Sequence, residues 1–437
     1  MYKTSRLKKR NAYFIIRKKS LKMAMTIGIF IFMAGIDLAG QVYGCKDVHA
    51  INYDPAVTIN DGSCLYEDVI ADPVDSFVMI EIVVETSGLI IWYDKIWTHN
   101  DSDDNSLYAI DPLNGSLIKS YQMEGLQNTD WEEISQDDNY IYIGDTGNNR
   151  NGNRTDLKIL RIDKNSILAG DPQADTICFS YSGQSDLSPT GANNTDFDCE
   201  AFIVSSDSIY LFTKQWKSFK TAVYSIPKTP GSYTARFVEE YDIQGMITGS
   251  VFLETKKLVV LCGYDNTLQP FLWLLYDFSK PFFFSGNKRK IFISLPFHQV
   301  EGITTSDGLK YYVSNESYVM EPFIDIPPTL HIFDLKPFMT DYLESLISEV
   351  PVTEPADYYK IYPIPSDHFL TVKSDLESLP SSYEIINQLG LPVLTGSFSE
   401  SETVIDISRL PEGIYILNMG KTRKQSFKVV RRRGINS

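Results

Sequence analysis

The stretch EEISQDDNYIYIGD, residues 132–145, has the pattern that decides the fold: a short strand, a polar turn and an aromatic-rich strand. Four other stretches share this pattern: SGLIIWYDKIWTHN (87–100), EAFIVSSDSIYLFT (200–213), GSVFLETKKLVVLC (249–262) and EGITTSDGLKYYVS (301–314). Their starts are 45, 68, 49 and 52 residues apart, and further strand signals follow each one. The middle of the chain is therefore a repeat of short strands without a long helix.

A repeat of about four strands with a period near fifty residues is typical of β-propeller blades. We predict an all-β chain in which residues 75–340 form a propeller, with five blades as the best fit to the spacing and six as the alternative. The segment 77–84 reads as one more strand that completes the last blade and closes the ring. An ordinary β-sandwich is the simpler alternative, but the recurring glutamate at the repeat starts argues against it.

Polar residues converge on one face of the predicted ring. The start of the first strand and the end of the second strand of a blade lie on the same face, because the two strands are antiparallel. This geometry brings carboxylates and amides from several repeats to one mouth. The predicted metal ligands there are Glu133, Glu200, Glu301, Asp101, Asp145 and Asn149. Carboxylates grouped around one axis repel each other, and a calcium ion held by oxygen atoms would offset that repulsion. The alternative is that these residues only end strands in turns.

The N-terminal residues 1–40 have the order of a secretory signal peptide. Nine basic and no acidic residues in the first 22 are followed by a mostly apolar run, 23–36, and then by Ala39 and Gly40. The run is shorter than the roughly 20 residues that a membrane span needs. We therefore expect export through the periplasm, cleavage just before Gln41, and no transmembrane segment in the mature chain.

Residues 44–66 resemble a small Cys-bounded module of bacterial secreted proteins, of the form GCxDxxAxNYxPxAxxxDGSCxY. The resemblance implies a disulfide between Cys45 and Cys64, which suits the oxidising surroundings of an exported chain. It argues against lipidation of Cys45. Four residues of the module offer oxygen ligands at the close spacing of calcium loops: Asp47, Asn52, Asp54 and Asp61. Turn formation explains the same residues equally well.

A second disulfide is left open in the repeats, because Cys199 and Cys262 lie in corresponding parts of neighbouring repeats.

The C-terminal residues 358–432 alternate apolar and polar residues between Pro and Gly turns, which predicts a small antiparallel sandwich. Their YKIYPIP opening, Leu-Gly turn and LPEGIYIL strand resemble the C-terminal sorting domain of type IX secretion. The resemblance implies the type IX secretion machinery as a partner, delivery to the cell surface or extracellular space, and cleavage of this domain. Residues 341–357, acidic and Pro-containing, are the predicted linker.

Composition and charge limit the function. The 437 residues are 43% hydrophobic and 13% aromatic, which excludes bulk disorder. The net charge is −16, and about −24 without residues 1–40, which argues against nucleic acid as a partner and favours cations.

We predict a secreted binding or interaction module for an unknown surface or extracellular ligand. The alternative is a calcium-dependent extracellular hydrolase of phosphoesters or lactones, because the DxE and VEGI starts loosely resemble the phytase-like and esterase-like propellers. That resemblance transfers no catalytic residue.

Overall fold

The computed structural model describes residues 41–102, 104–348, 359–374, 382–387, 391–398, 400, 402–419 and 425–432. The predicted signal peptide lies outside them. Four short strands precede the repeats: β1 (Tyr43–Gly44), β2 (Ile59–Asn60), β3 (Ile70–Ala71) and β4 (Asp75–Val78). The first two pair in parallel inside the Cys-bounded module, which the Cys45–Cys64 disulfide closes. The predicted disulfide is thus present in the structure.

Five four-stranded antiparallel units follow, which we call blades 1 to 5. Blade 1 contains β5 (Thr86–Trp92), β6 (Lys95–Asn100), β7 (Ser106–Ile110) and β8 (Leu117–Gln122). Blade 2 contains β9 (Trp131–Gln136), β10 (Tyr140–Asp145), β11 (Lys158–Asp163) and β12 (Ala174–Tyr181). Blade 3 contains β13 (Asp198–Val204), β14 (Ser208–Lys214), β15 (Thr221–Pro227) and β16 (Gly231–Tyr241). Blade 4 contains β17 (Met246–Leu253), β18 (Leu258–Tyr264), β19 (Pro270–Tyr276) and β20 (Asn287–Ile293).

Blade 5 shows how the ring closes. It contains β21 (Val300–Thr304), β22 (Lys310–Asn315) and β25 (Thr329–Asp334), and β4 supplies its outermost strand. The hairpin β23 (Tyr318–Met320) and β24 (Ile324–Ile326) is inserted between β22 and β25. The predicted closing strand is confirmed, although it is shorter than expected, because residues 81–83 form a 3-10 turn instead. The innermost strands β5, β9, β13, β17 and β21 contact each other in a closed ring, so the propeller has five blades.

Apolar side chains fill the spaces between consecutive blades, as burial of the two sheet faces requires. One buried cluster lies at each of the five blade–blade boundaries. Cys199 and Cys262 lie in two of these clusters as free thiols, so the second disulfide left open by the sequence does not form.

Two contacts at the perimeter are particular to this ring. The long strand β16 pairs with β15 over its second half and in parallel with β12 over its first half. Blades 2 and 3 are therefore one continuous eight-stranded sheet. Strand β3 adds a fifth strand to the outer edge of blade 4.

Two α-helices complete the propeller region: α1 (Lys164–Ala169) and α2 (Lys336–Ser348). The second helix buries Met339 in the cluster between blades 4 and 5. The first eight residues of the predicted linker are therefore helical, and its remaining residues lie outside the described ones. None of the described helices is both long and apolar enough to cross a membrane.

The C-terminal region forms two small antiparallel sheets, as predicted. One contains β26 (Tyr359–Tyr362), β27 (Phe369–Ser374) and β30 (Glu402–Asp406). The other contains β28 (Tyr383–Ile386), β29 (Pro392–Gly396), β31 (Gly413–Met419) and β32 (Gln425–Arg431). Alternate residues such as Leu370, Ile385 and Leu417 are buried between the sheets.

Candidate cation site at the propeller mouth

A β-bulge at the start of the innermost strands determines which side chains enter the mouth. In blades 2, 3 and 5 the strand pairing skips Glu132, Glu200 and Glu301, respectively. A bulge leaves one residue unpaired and redirects its side chain. Blade 4 has Thr248 at the same position. The recurring glutamates are therefore bulge residues rather than ordinary members of an alternating strand.

These side chains line a cavity of about 160 Å³ at the mouth. Its lining residues are Glu85, Ser87, Asp101, Glu132, Asn149, Asn193, Glu200, Lys214, Trp216, Tyr264, Gln299, Glu301 and Glu316. Six carboxylates thus face a single cationic side chain among the described residues of the lining. A concave acidic surface of this kind attracts cations.

Three carboxylates form the tightest group, which we call the blade 2–3 triad. Oxygen atoms of Glu132, Asp198 and Glu200 all lie within 4.8 Å of one another, and all three residues are buried. Asp198 accepts hydrogen bonds from the Asn148 backbone N–H (2.5 Å) and from Trp216 Nε1 (2.7 Å). These two bonds fix its position at the start of β13.

The carboxylate of Glu132 has a different environment. Its residue is 6% exposed and lines the cavity, yet its carboxylate accepts no hydrogen bond from the described residues. Gly147 lies so close that a β-carbon there would collide with the carboxylates of Asp130 and Glu132. Burial, and then the charges of Glu200 and Asp130, raise the pKa of Glu132 well above its usual value. Glu132 is thus a buried acid that lines the cavity and has no hydrogen-bond partner for its carboxylate among the residues that the structure describes.

Lys214 partly compensates the triad. Its Nζ atom lies 2.5 Å from Glu200 Oε2 and donates to the Tyr264 hydroxyl at 3.2 Å. Burial alone would lower the pKa of Lys214, but the neighbouring acidic groups, Glu200 first, raise it well above its usual value. The ammonium is therefore charged and committed to Glu200.

The other side of the cavity holds a second acidic group, which we call the blade 5–1 acids: Glu85, Asp101, Glu301 and Glu316. Burial, and then a hydrogen bond and charge from Glu85, raise the pKa of Asp101 to about 8. Burial raises the pKa of Glu316 to about 7; the charge of Lys214 opposes this rise, and the charge of Glu85 adds to it. Asp101 Oδ1 is buried without a hydrogen-bond partner among the described residues. Lys214 is the one cationic side chain of the described lining, and its charge acts on Glu301 and Glu316 as well as on Glu200, so the four acids outnumber the positive charge available to them.

The structure brings together four of the six predicted mouth ligands: Glu200, Glu301, Asp101 and Asn149. It places the other two elsewhere. Glu133 is fully buried beneath the mouth and accepts bonds from Ser250. Asp145 is buried in ion pairs with Arg154 (2.7 Å) and Lys158 (2.7 Å).

The four predicted ligands of the Cys-bounded module each make hydrogen bonds of their own. Asp54 and Asp61 each accept a backbone N–H two residues ahead, and Asn52 bonds Ser63 and Leu65. Asp47 accepts the His49 N–H and the Tyr66 hydroxyl within the module, and it accepts the hydroxyl of Tyr276 on β19, which helps hold the module against blade 4. Each side chain serves a local turn or a docking contact.

The predicted ligand set omitted four acids that line or support the cavity: Glu132, Asp198, Glu85 and Glu316. Asp198 and Glu132 start innermost strands, and Glu85 directly precedes one. The alignment of Glu132 with Glu200 and Glu301 at the repeat starts is the signal that identifies Glu132. Glu85 carries no such repeat signal.

Residues 360–431 match the family model described as the secretion system C-terminal sorting domain. A comparison with curated protein sequences found no match.

Several solved structures are similar in fold. PorZ, a surface component of the type IX secretion system of Porphyromonas gingivalis, is 11% identical with a TM-score of 0.29, and the match covers 79% of this chain and 45% of that one. U3-55K is 11% identical with a TM-score of 0.34, covering 61% and 100%. A gluconolactonase from Xanthomonas campestris is 10% identical with a TM-score of 0.33, covering 62% and 97%. The chain spans less than half the length of PorZ, and none of these likenesses carries an argument about function. The chain is therefore a β-propeller protein that carries the C-terminal sorting domain of type IX secretion and is exported to the cell surface or the extracellular space.

Proposed function

We propose that this protein is an exported binding module whose propeller mouth holds a divalent cation, with calcium as the first candidate, on Glu132, Asp198 and Glu200. The observation that carries the proposal is the carboxylate of Glu132, which is buried, directed into the cavity and without a hydrogen-bond partner among the described residues. A buried charged group of this kind is costly unless something pairs with it.

The magnitude of the repulsion supports a bound cation. Two unit charges 4.8 Å apart repel by about 3 kcal/mol at an effective dielectric constant of 20. Lys214 pairs directly with Glu200, so one positive charge is shared among the three acids of the triad. Protonation can relieve part of this repulsion, and a divalent cation can relieve it without loss of the charges.

The donor set favours calcium over softer metals. Oxygen atoms that share a calcium ion at 2.3–2.6 Å lie at most about 5 Å apart, which matches the spread of the triad. Asn149 and Asn193 line the same cavity and offer neutral amide oxygens. The described lining residues include neither His nor Cys, the ligands that zinc and copper prefer.

Binding is favoured over hydrolysis of phosphoesters. A phosphate group in the cavity would meet six carboxylates, whereas the one ammonium of the described lining is engaged by Glu200. The mouth therefore suits a cationic ligand better than an anionic substrate.

The test is a calcium titration of the purified exported protein after treatment with a chelator, followed by thermal melts. A ligand at a hundredfold excess over its Kd stabilises the native state by about 2.7 kcal/mol. This gain corresponds to a rise in Tm of about 5 to 10 °C for a domain of this size. We expect Glu132→Gln to remove most of the rise, because the change keeps the shape and removes the charge.

The matched control is Glu240→Gln, which makes the same chemical change at an exposed residue paired with Lys220 on blade 3. This variant should keep the full calcium response. A wild-type Tm that responds to neither chelator nor calcium would overturn the proposal.

A further inference from the structure

An exposed apolar cluster stands beside the mouth, and we call it the apolar rim. It combines the β23–β24 hairpin with the segment 79–84. Its exposed side chains are Phe323 (84% exposed), Val319 (54%), Ile82 (49%), Ile80 (47%), Met320 (46%) and Val84 (39%). A cluster of six exposed apolar residues on two adjacent segments is unusual on a soluble surface and is typical of an interaction site.

Backbone hydrogen bonds hold the two segments of the rim together. The Ser317 N–H donates to the Val84 carbonyl at 2.7 Å, and the Met79 N–H donates to the Pro328 carbonyl at 2.8 Å. The hairpin itself is paired over three residues on each strand. The rim is therefore a built surface of the fold.

The rim is continuous with the acidic cavity. Glu85 directly follows the segment 79–84, and Glu316 directly precedes the hairpin, and both residues line the cavity. They belong to the blade 5–1 acids, four carboxylates that lie near the single ammonium of Lys214 in the described lining. An apolar surface and a pocket with an excess of carboxylates thus lie side by side.

We propose that the apolar rim and the blade 5–1 acids together form a docking site for a polypeptide segment that carries a Lys or Arg side chain flanked by apolar residues. The basic side chain enters the cavity beside Glu85 and Glu316, and the apolar neighbours cover Phe323. Charge complementarity selects this partner, because six carboxylates line the cavity with one ammonium, that of Lys214, which pairs with Glu200. An anionic membrane surface would be repelled by the same acids.

The experiment measures binding of two fluorescent synthetic peptides of equal length, one of alternating Leu and Lys and one of alternating Leu and Glu, by anisotropy. We expect the Leu-Lys peptide to bind with a salt-dependent affinity and the Leu-Glu peptide not to bind. The bound peptide would bury the Phe323 ring, which is exposed in the free protein. Phe323→Ser should therefore weaken binding by about tenfold or more, because serine cannot contribute this burial. Glu316→Gln should weaken it and reduce the salt dependence.

The matched control is Leu113→Ser, which removes another exposed apolar side chain (73% exposed) in the β7–β8 turn, on the face opposite the mouth. This variant should bind the Leu-Lys peptide as the wild type does. Equal binding by wild type and Phe323→Ser, or equal binding of both peptides, would overturn the proposal. Binding to anionic lipid vesicles that Phe323→Ser abolishes, without binding to the Leu-Lys peptide, would also overturn it.

Titrations with chelator and with calcium separate this proposal from the cation proposal. The site requires the blade 5–1 acids rather than the triad. Peptide binding should therefore persist in chelator even if calcium turns out not to bind.

Discussion

Glu132 and Glu133 are neighbours in sequence with opposite roles, and a pair of substitutions separates them. Glu133 is fully buried, and its two carboxylate oxygens accept three hydrogen bonds. The Ser250 backbone N–H (2.7 Å) and hydroxyl (3.0 Å) donate to Oε2, and the Ile134 N–H (3.0 Å) donates to Oε1. Gly88 approaches so closely that a β-carbon there would collide with Glu133. Glu133 therefore bridges the innermost strands of blades 1, 2 and 4.

The cost of Glu133→Gln follows from these bonds. Glutamine has one acceptor oxygen where glutamate has two. Its NH2 group takes the place of the second oxygen and cannot accept, so at least one backbone or hydroxyl donor loses its partner. A buried donor left without a partner costs about 1 to 3 kcal/mol. A cost near 2 kcal/mol lowers the Tm by about 4 to 8 °C. Because Glu133 lies outside the cavity, the rise in Tm on adding calcium should be unchanged.

Glu132→Gln should give the reverse result in the same melts. With chelator present its Tm should equal or exceed that of the wild type, since one of three repelling charges is removed. The calcium response should be lost. If Glu133→Gln keeps the wild-type Tm in chelator but loses the calcium response, Glu133 is the ligand and the reasoning from the bulge is wrong.

Three further predictions concern other parts of the molecule. Gly147→Ala should reduce calcium binding in a calorimetric titration at least as much as Glu132→Gln does, because the new β-carbon would displace the Glu132 carboxylate. An unchanged titration would contradict the close approach of Gly147 to that carboxylate. In chelator, the Tm should rise as the pH falls from about 8.5 to 6.5. The folded-state pKa values of Asp101 (about 8) and Glu316 (about 7) lie above their unfolded values, so the native state binds more protons than the unfolded state in this range. A flat or falling Tm profile would contradict the raised pKa values. Cys45→Ser should remove about 3 kcal/mol of stability from the Cys-bounded module, so a protease should cut the module before it cuts the propeller. Equal protease resistance of the wild type and the variant would show that docking alone holds the module.

The sequence predicted the fold further than it predicted the site. Alternating strands and a recurring spacing are local signals, so the five repeats, the closing strand and the C-terminal sheets followed from them. The 68-residue interval after Glu132 includes the unusually long loop 182–197 rather than an additional blade.

The site depends on a feature that strict alternation hides. A β-bulge shifts the register by one residue, which decides whether Glu132 or Glu133 enters the mouth. Glu133 fits between the innermost strands because Gly88 of blade 1 has no β-carbon, which would otherwise collide with the Glu133 carboxylate. That steric relation is long-range, so the sequence pattern alone could not reveal it.

The parallel pairing of β12 with β16 makes the seams between blades unequal. A ring of separate blades could loosen at any of its five seams, but the seam between blades 2 and 3 is hydrogen-bonded at its outer edge. The triad straddles this locked seam, since Glu132 lies on β9 and Asp198 and Glu200 lie on β13. The blade 5–1 acids straddle the seam where a four-residue strand from before the first repeat closes the ring. The two acidic groups of the mouth therefore lie on differently built seams: pairing of outer strands joins blades 2 and 3, whereas β4, from the segment before blade 1, closes blade 5.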